Sequence, residues 1–136
     1  MGTATTDISV DTFKSVIDKD GIVVIDWWAP WCGPCRAFAP IYDKVASANT
    51  DITFGKVNTQ DEQALAGEFD IQSIPTLMIF RDRVLLFSQP GMLPQPALED
   101  LLKQVRALNM DDVRKEIEAQ KSKAGGKGAQ PAAAQA

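Results

Sequence analysis

The chain has 136 residues, a net charge of −4 and a pI near 4.7, with 45% hydrophobic and 24% charged residues. That length and apolar content suit one domain with one real core. Nine basic residues face fourteen acidic ones through Met110, which excludes a phosphate-binding surface for nucleic acid, and no apolar run approaches the roughly 18 residues of a membrane span.

In chain order, Thr5–Ile8 reads as a short edge strand. Ser9 is placed to cap a helix through Lys19, with Phe13, Val16 and Ile17 on its apolar face. Asp20-Gly21 ends it. Ile22–Trp28 is a near-continuous apolar run, the pattern of a strand covered on both faces. A helix is expected from Pro34 to Ala48, kinked at Pro40. A strand follows at Ile52–Val57, then a helix over Asp61–Phe69 capped by Asp61. Thr76–Phe80 and Val84–Ser88 predict an antiparallel hairpin, and Pro94–Leu108 an amphipathic helix with Leu98, Leu101, Leu102, Val105 and Leu108 on one face. The order β-α-β-α-β-α-β-β-α implies an α/β fold with a parallel core and late antiparallel strands.

The domain is expected to occupy residues 1–110. Residues 111–121 are a short charged helix candidate, with Asn109 as cap and Val113 and Ile117 as its two apolar anchors. Residues 122–136 contain no large apolar side chain and are expected to be a disordered tail.

The only two cysteines stand in "IDWWAPWCGPCR". The N-terminal "MGTATTDISV" has neither the basic nor the apolar region of a secretory signal. A cytoplasmic location is therefore expected, where such a pair is more often catalytic or metal-binding than a structural staple. A zinc site needs about four ligands, usually Cys and His. This chain has two Cys and no His, so it would need a shared site or added carboxylates. An inert core pair suits Gly-Pro and flanking aromatics poorly. Redox chemistry fits the spacing better: residues i and i+3 of a helix share a face, within reach of a disulfide. Cys32, at the start of a helix, is expected to be the exposed thiol, held as a thiolate by free N–H groups and the helix dipole. Cys35 is expected to turn inward. Gly33 permits a close turn, and Pro34 fits the first helical turn.

Asp26 lies inside the apolar run, six residues before Cys32. A buried carboxyl must be paired, protonated or both. It could serve the inner thiol as a proton carrier, or form a structural ion pair with Lys56 on the next strand. The two roles are compatible, since Lys56 could tune Asp26.

"VVIDWWAP", "WCGPC", "GKVN", "SIPTLMIF" and a glycine after the last strand resemble, in that order, the thioredoxin family over about Thr5 to Met110. The resemblance implies a thioredoxin fold, a central mixed β-sheet flanked by helices, here with a C-terminal extension. It implies protein-disulfide reduction by dithiol–disulfide exchange, with Cys32 as nucleophile, Cys35 as resolving thiol and Asp26 as proton carrier. It implies a cis Ile74–Pro75 bond beside the thiols, and a docking surface of Trp31, Gly33, Pro34, Ile74, Pro75, Gly91 and Met92. No bound cofactor or metal is implied. Electrons would come from NADPH through a flavin-containing thioredoxin reductase to a monomeric protein acting on disulfide-containing proteins.

Four features depart from the family pattern. The turn in "FRDRV" lacks Asn-Gly or Asp-Gly, which predicts a longer or looser loop. Pro90 precedes Gly91, and Pro30 and Trp27 are uncommon choices. They bear on substrate preference more than on thiol chemistry. Two rival functions are an oxidant or isomerase of the same fold, and a non-catalytic binding subunit of that fold.

Overall fold

The structure, a computed structural model, describes residues 4–123. Its centre is β2 (Ile22–Trp28), whose first six residues are all buried. Such a strand needs neighbours on both edges and layers on both faces. β3 (Thr53–Asn58) pairs with it in parallel and β4 (Thr76–Arg81) antiparallel. β1 (Thr5–Asp7) and β5 (Val84–Pro90) form the two edges, giving the order β1-β3-β2-β4-β5. This is a mixed sheet flanked by helices, with a further helix beyond the core.

Alternation along the strands sends side chains to two cores. On one face, Val24, Phe54, Leu77 and Ile79 pack against Phe38, Tyr42 and Val45 of α2 (Gly33–Ala48) and Leu98, Leu102 and Val105 of α4 (Gln95–Ala107). On the other, Val23, Ile25, Trp27 and Val57 meet Phe13 of α1 (Val10–Ile17) and Leu65 of α3 (Gln63–Glu68). Each fully buried Leu, Ile or Phe contributes about 1.5–3 kcal/mol. The Tyr42 hydroxyl is buried 2.7 Å from the Gly55 carbonyl and 3.0 Å from that of Val24. Its one proton can serve only one of them at a time, so it ties α2 to both β2 and β3. A Cβ at Gly55 would collide with the tip of the Ile8 side chain, which would have to shift to make room for it.

Several boundaries differ from expectation. α1 ends at Ile17 rather than Lys19. α3 begins at Gln63 with Glu62, not Asp61, at the cap position, and the Glu62 carboxylate accepts the Val10 N–H (3.0 Å). α2 begins at Gly33, one residue before the expected Pro34, and ends at Ala48 as expected.

The hairpin turn is tight, not loose. Asp82 and Arg83 both adopt left-handed conformations (φ 50° and 71°), the geometry of a two-residue hairpin turn. Glycine is replaced by tertiary ties. Asp82 exchanges hydrogen bonds with Gly21 (2.8 and 3.0 Å), and Arg83 pairs with Asp18 and Asp20.

α5 (Met110–Lys123) begins after Asn109, whose side chain accepts the Asp112 N–H (3.1 Å). It runs into Ser122 and Lys123, where a disordered tail was expected. Residues 124–136, the rest of that expectation, lie outside the described residues.

Candidate active site

β2 carries the chain past Ala29, Pro30 and Trp31 to Cys32, which occupies the N-cap of α2 in an extended conformation. The Cys35 N–H donates to the Cys32 sulfur at 3.1 Å. An N-cap acceptor normally satisfies one of the orphan donors of the first turn, and here a sulfur does so. Cys32 and Cys35 are joined as a disulfide, with Cα atoms 5.2 Å apart. Ala29 is fully buried in the same cluster, and its carbonyl accepts the Cys32 N–H (3.2 Å).

Cys32 was expected to be exposed. In this oxidised state it is 6% exposed, against 2% for Cys35. Trp28 and Ile74 pack over the pair, so access to Cys32 is narrow. Gly33 is the first residue of α2 rather than part of a turn, and a Cβ there would meet open space. Its contribution is a bare surface beside the sulfur, not an unusual backbone.

The Ile74–Pro75 peptide is cis. It sets the Ile74 carbonyl 3.8 Å from the Cys32 sulfur. The Pro75 carbonyl accepts the Gly91 N–H (2.8 Å), with Gly91 at φ 102°. That left-handed conformation suits glycine and lets the chain leave β5 beside the cis-proline. Pro75 is buried, Ile74 is half-buried, and Pro34 and Gly91 are exposed. Trp31 and Met92 are large apolar side chains open to solvent, at 67% and 38%. The contacts thus gather Cys32, Cys35, Ile74, Pro75 and Gly91. Trp31, Gly33 and Pro34 follow by chain adjacency to the cysteines, and Met92 by adjacency to Gly91.

Asp26 is 1% exposed, and its Oδ1 has no hydrogen-bond partner. Burial pushes its carboxyl up to about 7. The Lys56 charge opposes that rise and the Asp43 charge on α2 adds to it. Asp26 and Lys56 are register partners on β2 and β3. Yet no ion pair joins them among the described residues. The Lys56 ammonium lies over the Trp28 ring, 4.7 Å from its centroid, a cation–π placement. No ion pair therefore pins Asp26, and Lys56 acts on the buried carboxyl through its charge alone. Sequence reasoning missed Ala29 and Asp43. Ala29 was signalled only by its small size between Trp28 and Pro30, and Asp43 only by its place on the helix that starts at the thiols.

Among the described residues, no group of three or more His, Cys, Asp or Glu is arranged to hold a metal. The carboxylates that would complete a half-zinc site at the cysteines are not beside them.

The thioredoxin family model matches residues 4–104. A Streptomyces coelicolor protein named "Putative thioredoxin 2" is 48% identical over 123 residues, covering 90% of this chain and 92% of the relative. Thioredoxin 1 of Synechococcus elongatus is 42% identical over 93 residues, covering 67% of this chain and 87% of the relative. Among solved structures, Malassezia sympodialis thioredoxin (Mala s 13) superposes with a TM-score of 0.67 at 31% identity, covering 76% of this chain and 91% of that one. With a helix-capped Cys pair on a matching fold, the chain belongs to the thioredoxin family and is a thiol–disulfide oxidoreductase that works by dithiol–disulfide exchange through Cys32 and Cys35.

Proposed function

We propose that the protein works in the reducing direction, as a monomer in the cytoplasm, with NADPH as the electron source through a flavin-containing thioredoxin reductase. The observation that carries the mechanism is the sulfur of Cys32 at the α2 N-cap, hydrogen-bonded by the Cys35 N–H. In the reduced protein the same donor and the helix dipole favour a thiolate there. A thiol lowered in this way is ionised to a larger fraction at neutral pH, and the thiolate is the nucleophile.

The Cys32 thiolate attacks one sulfur of a substrate disulfide, forming a mixed disulfide and releasing the other substrate sulfur as a thiolate, which takes up a proton. Cys35 loses its proton to the Asp26 carboxylate and attacks the Cys32 sulfur. The Cys32–Cys35 disulfide forms and the second substrate sulfur leaves as a thiolate, which takes up a proton. The substrate gains two electrons and the protein loses two. The Ile74 carbonyl beside Cys32 offers an acceptor to an extended substrate segment, and Trp31 and Met92 offer apolar contact. Lys56 tunes Asp26 by charge.

Cysteine usage supports the cytoplasmic reading, because both cysteines of the chain belong to the reactive pair and none serves as a separate staple. The monomeric reading is supported by the sheet edges: β1 has three residues, and Pro90 offers no N–H on β5.

Reduction of insulin with NADPH and a thioredoxin reductase tests the scheme. Cys32→Ser is expected to abolish turnover, and Cys35→Ser to accumulate a mixed disulfide at Cys32. Equal residual turnover in both variants would overturn the assigned roles. Turnover that survives in neither direction, with association to partners intact, would favour the binding-subunit reading.

A further inference from the structure

The structure has a second apolar feature, remote from the thiols. β5, α4 and α5 enclose an open groove of about 700 Å³. Leu86 and Phe87 of β5, Leu101 and Val105 of α4, and Val113 and Ile117 of α5 supply its apolar wall. Asp112 and Glu116 stand on the α5 side of its rim. Glu116 accepts a hydrogen bond from Gln120 one turn along (3.2 Å), and no cation pairs with either carboxylate among the described residues. Three nearby guanidinium groups are engaged elsewhere, Arg81 on the carbonyls ending α4, Arg106 on Asp51 and Arg114 on the Asp82 carbonyl, and Lys115 of α5 is not among the residues lining the groove.

We infer that this groove docks an amphipathic helix of a partner protein, apolar on one face and flanked by Lys or Arg. The rim selects the flanks, because two unpaired carboxylates beside an apolar wall favour cations and repel an acidic segment. An anionic membrane surface is disfavoured by the same charges. The groove follows α5 from Asn109 to Gln120, about 17 Å at 1.5 Å per residue, so it accommodates about three turns of helix with anchors at i, i+4 and i+7.

Two further observations bear on the role. The Streptomyces match covers 90% of this chain, more than residues 1–110 can supply, so that relative's similarity extends into α5. The α4–α5 junction, where the groove begins, also lies at the far end of β4 from the cis-proline beside Cys32. β4 starts at Thr76 beside the cis-proline and ends at Arg81, whose guanidinium binds the Leu108 carbonyl at the α4–α5 junction. An occupant would leave the thiols open. The groove would then act as a tether, raising the effective concentration of a partner's disulfide at Cys32 without altering the thiol chemistry. This role does not depend on the direction of electron flow.

The test uses the full chain and a 14-residue fluorescein-labelled helical peptide with Leu at i, i+4, i+7 and i+11 and Lys on both flanks. The matched control carries Glu in place of Lys. Anisotropy is expected to show the Lys peptide binding at least tenfold more tightly than the Glu peptide. Amide NMR shifts should map to Leu86, Phe87, Val113 and Ile117. The exposed double variant Asp112→Lys/Glu116→Lys should invert the preference, with helix content unchanged by circular dichroism. Insulin reduction should be unaffected by saturating Lys peptide. Equal binding of both peptides, or shifts centred on Trp31 and Met92, would overturn the proposal. A concentration-dependent dimer perturbing the same residues would also overturn it, by making a second copy the occupant. So would binding of phosphatidylserine vesicles with those shifts, by making a membrane the occupant.

Discussion

At the residue scale, Asp26 has the most consequential environment. Its carboxyl is raised from 3.8 to about 7 by burial. The folded state therefore holds a proton that the unfolded state has released between about pH 4 and pH 7, so stability falls as pH rises through that window. Above pH 7 the ionised, unpaired group costs the fold its full penalty, on the order of 4 kcal/mol at about 1.4 kcal/mol per unit. Asp26→Asn is expected to be more stable than the parent at pH 8, by a margin that closes as pH falls toward 4. It should also slow insulin reduction around pH 7, where the native carboxyl is poised between its two states. Urea titrations at pH 4, 6 and 8 check the first expectation, and the pH–rate profile checks the second. A variant with parental kinetics across pH 6–8 would reduce Asp26 to a structural residue. The type of this site was legible in the sequence, since a lone acid in an apolar strand has few explanations. Its unpaired state was not, because it turns on where Lys56 points. The ammonium is held by the Trp28 ring, a contact that no local spacing encodes.

At the element scale, legibility followed burial. β2 was readable because six apolar or aromatic residues out of seven, interrupted only by Asp26, leave little alternative. The hairpin turn was misread because its compensation is nonlocal. Asp82 and Arg83 adopt left-handed backbone with help from Asp18, Asp20 and Gly21, over sixty residues earlier. The cap of α3 was misplaced by one residue, where the Glu62 side chain serves α1 instead. The end of α4 shows another device absent from local pattern. The Arg81 guanidinium reaches the carbonyls of Val105 and Leu108 (2.8 Å each) and Arg106 (3.3 Å). The Val105 carbonyl also accepts the Leu108 N–H (3.3 Å), while those of Arg106 and Leu108 lie in and just past the last turn, where carbonyls lack helical partners, and a cation there offsets the negative end of the helix dipole. Arg81→Met is expected to cost about 1–2 kcal/mol, lowering the melting temperature by several degrees. It should also speed amide exchange at the start of α5. Insulin reduction at 25 °C should be unchanged, since the thiols lie at the other end of the sheet. A variant with parental melting and exchange would show that water caps α4 equally well.

At the scale of the whole molecule, the fold makes one thiol reactive by placing it where a buried strand meets a helix. The sheet order puts β2 at the centre, so the junction carrying Cys32 is rigidly held, and β4 brings the cis-proline against it. The strand–helix–strand order and Cys spacing made the α/β architecture and the thiol pair readable from sequence. The docking face was readable only through family resemblance, because Ile74 meets Cys32 across forty-two residues and Gly91 joins through its bond to Pro75, contacts that local spacing does not encode. The groove beside α5 was not readable at all, since Val113 and Ile117 alone do not say what they face.

The most direct test of the central claim is the equilibrium reduction potential of the Cys32–Cys35 pair, titrated against a dithiothreitol buffer and followed by Trp fluorescence. A reducing Cys pair should show a two-electron transition at about −270 mV, the value of a thioredoxin itself, able to donate electrons to cytoplasmic protein disulfides. A potential near −120 to −180 mV, in the range of dedicated oxidants and isomerases, or a pair that never closes to a disulfide, would contradict it.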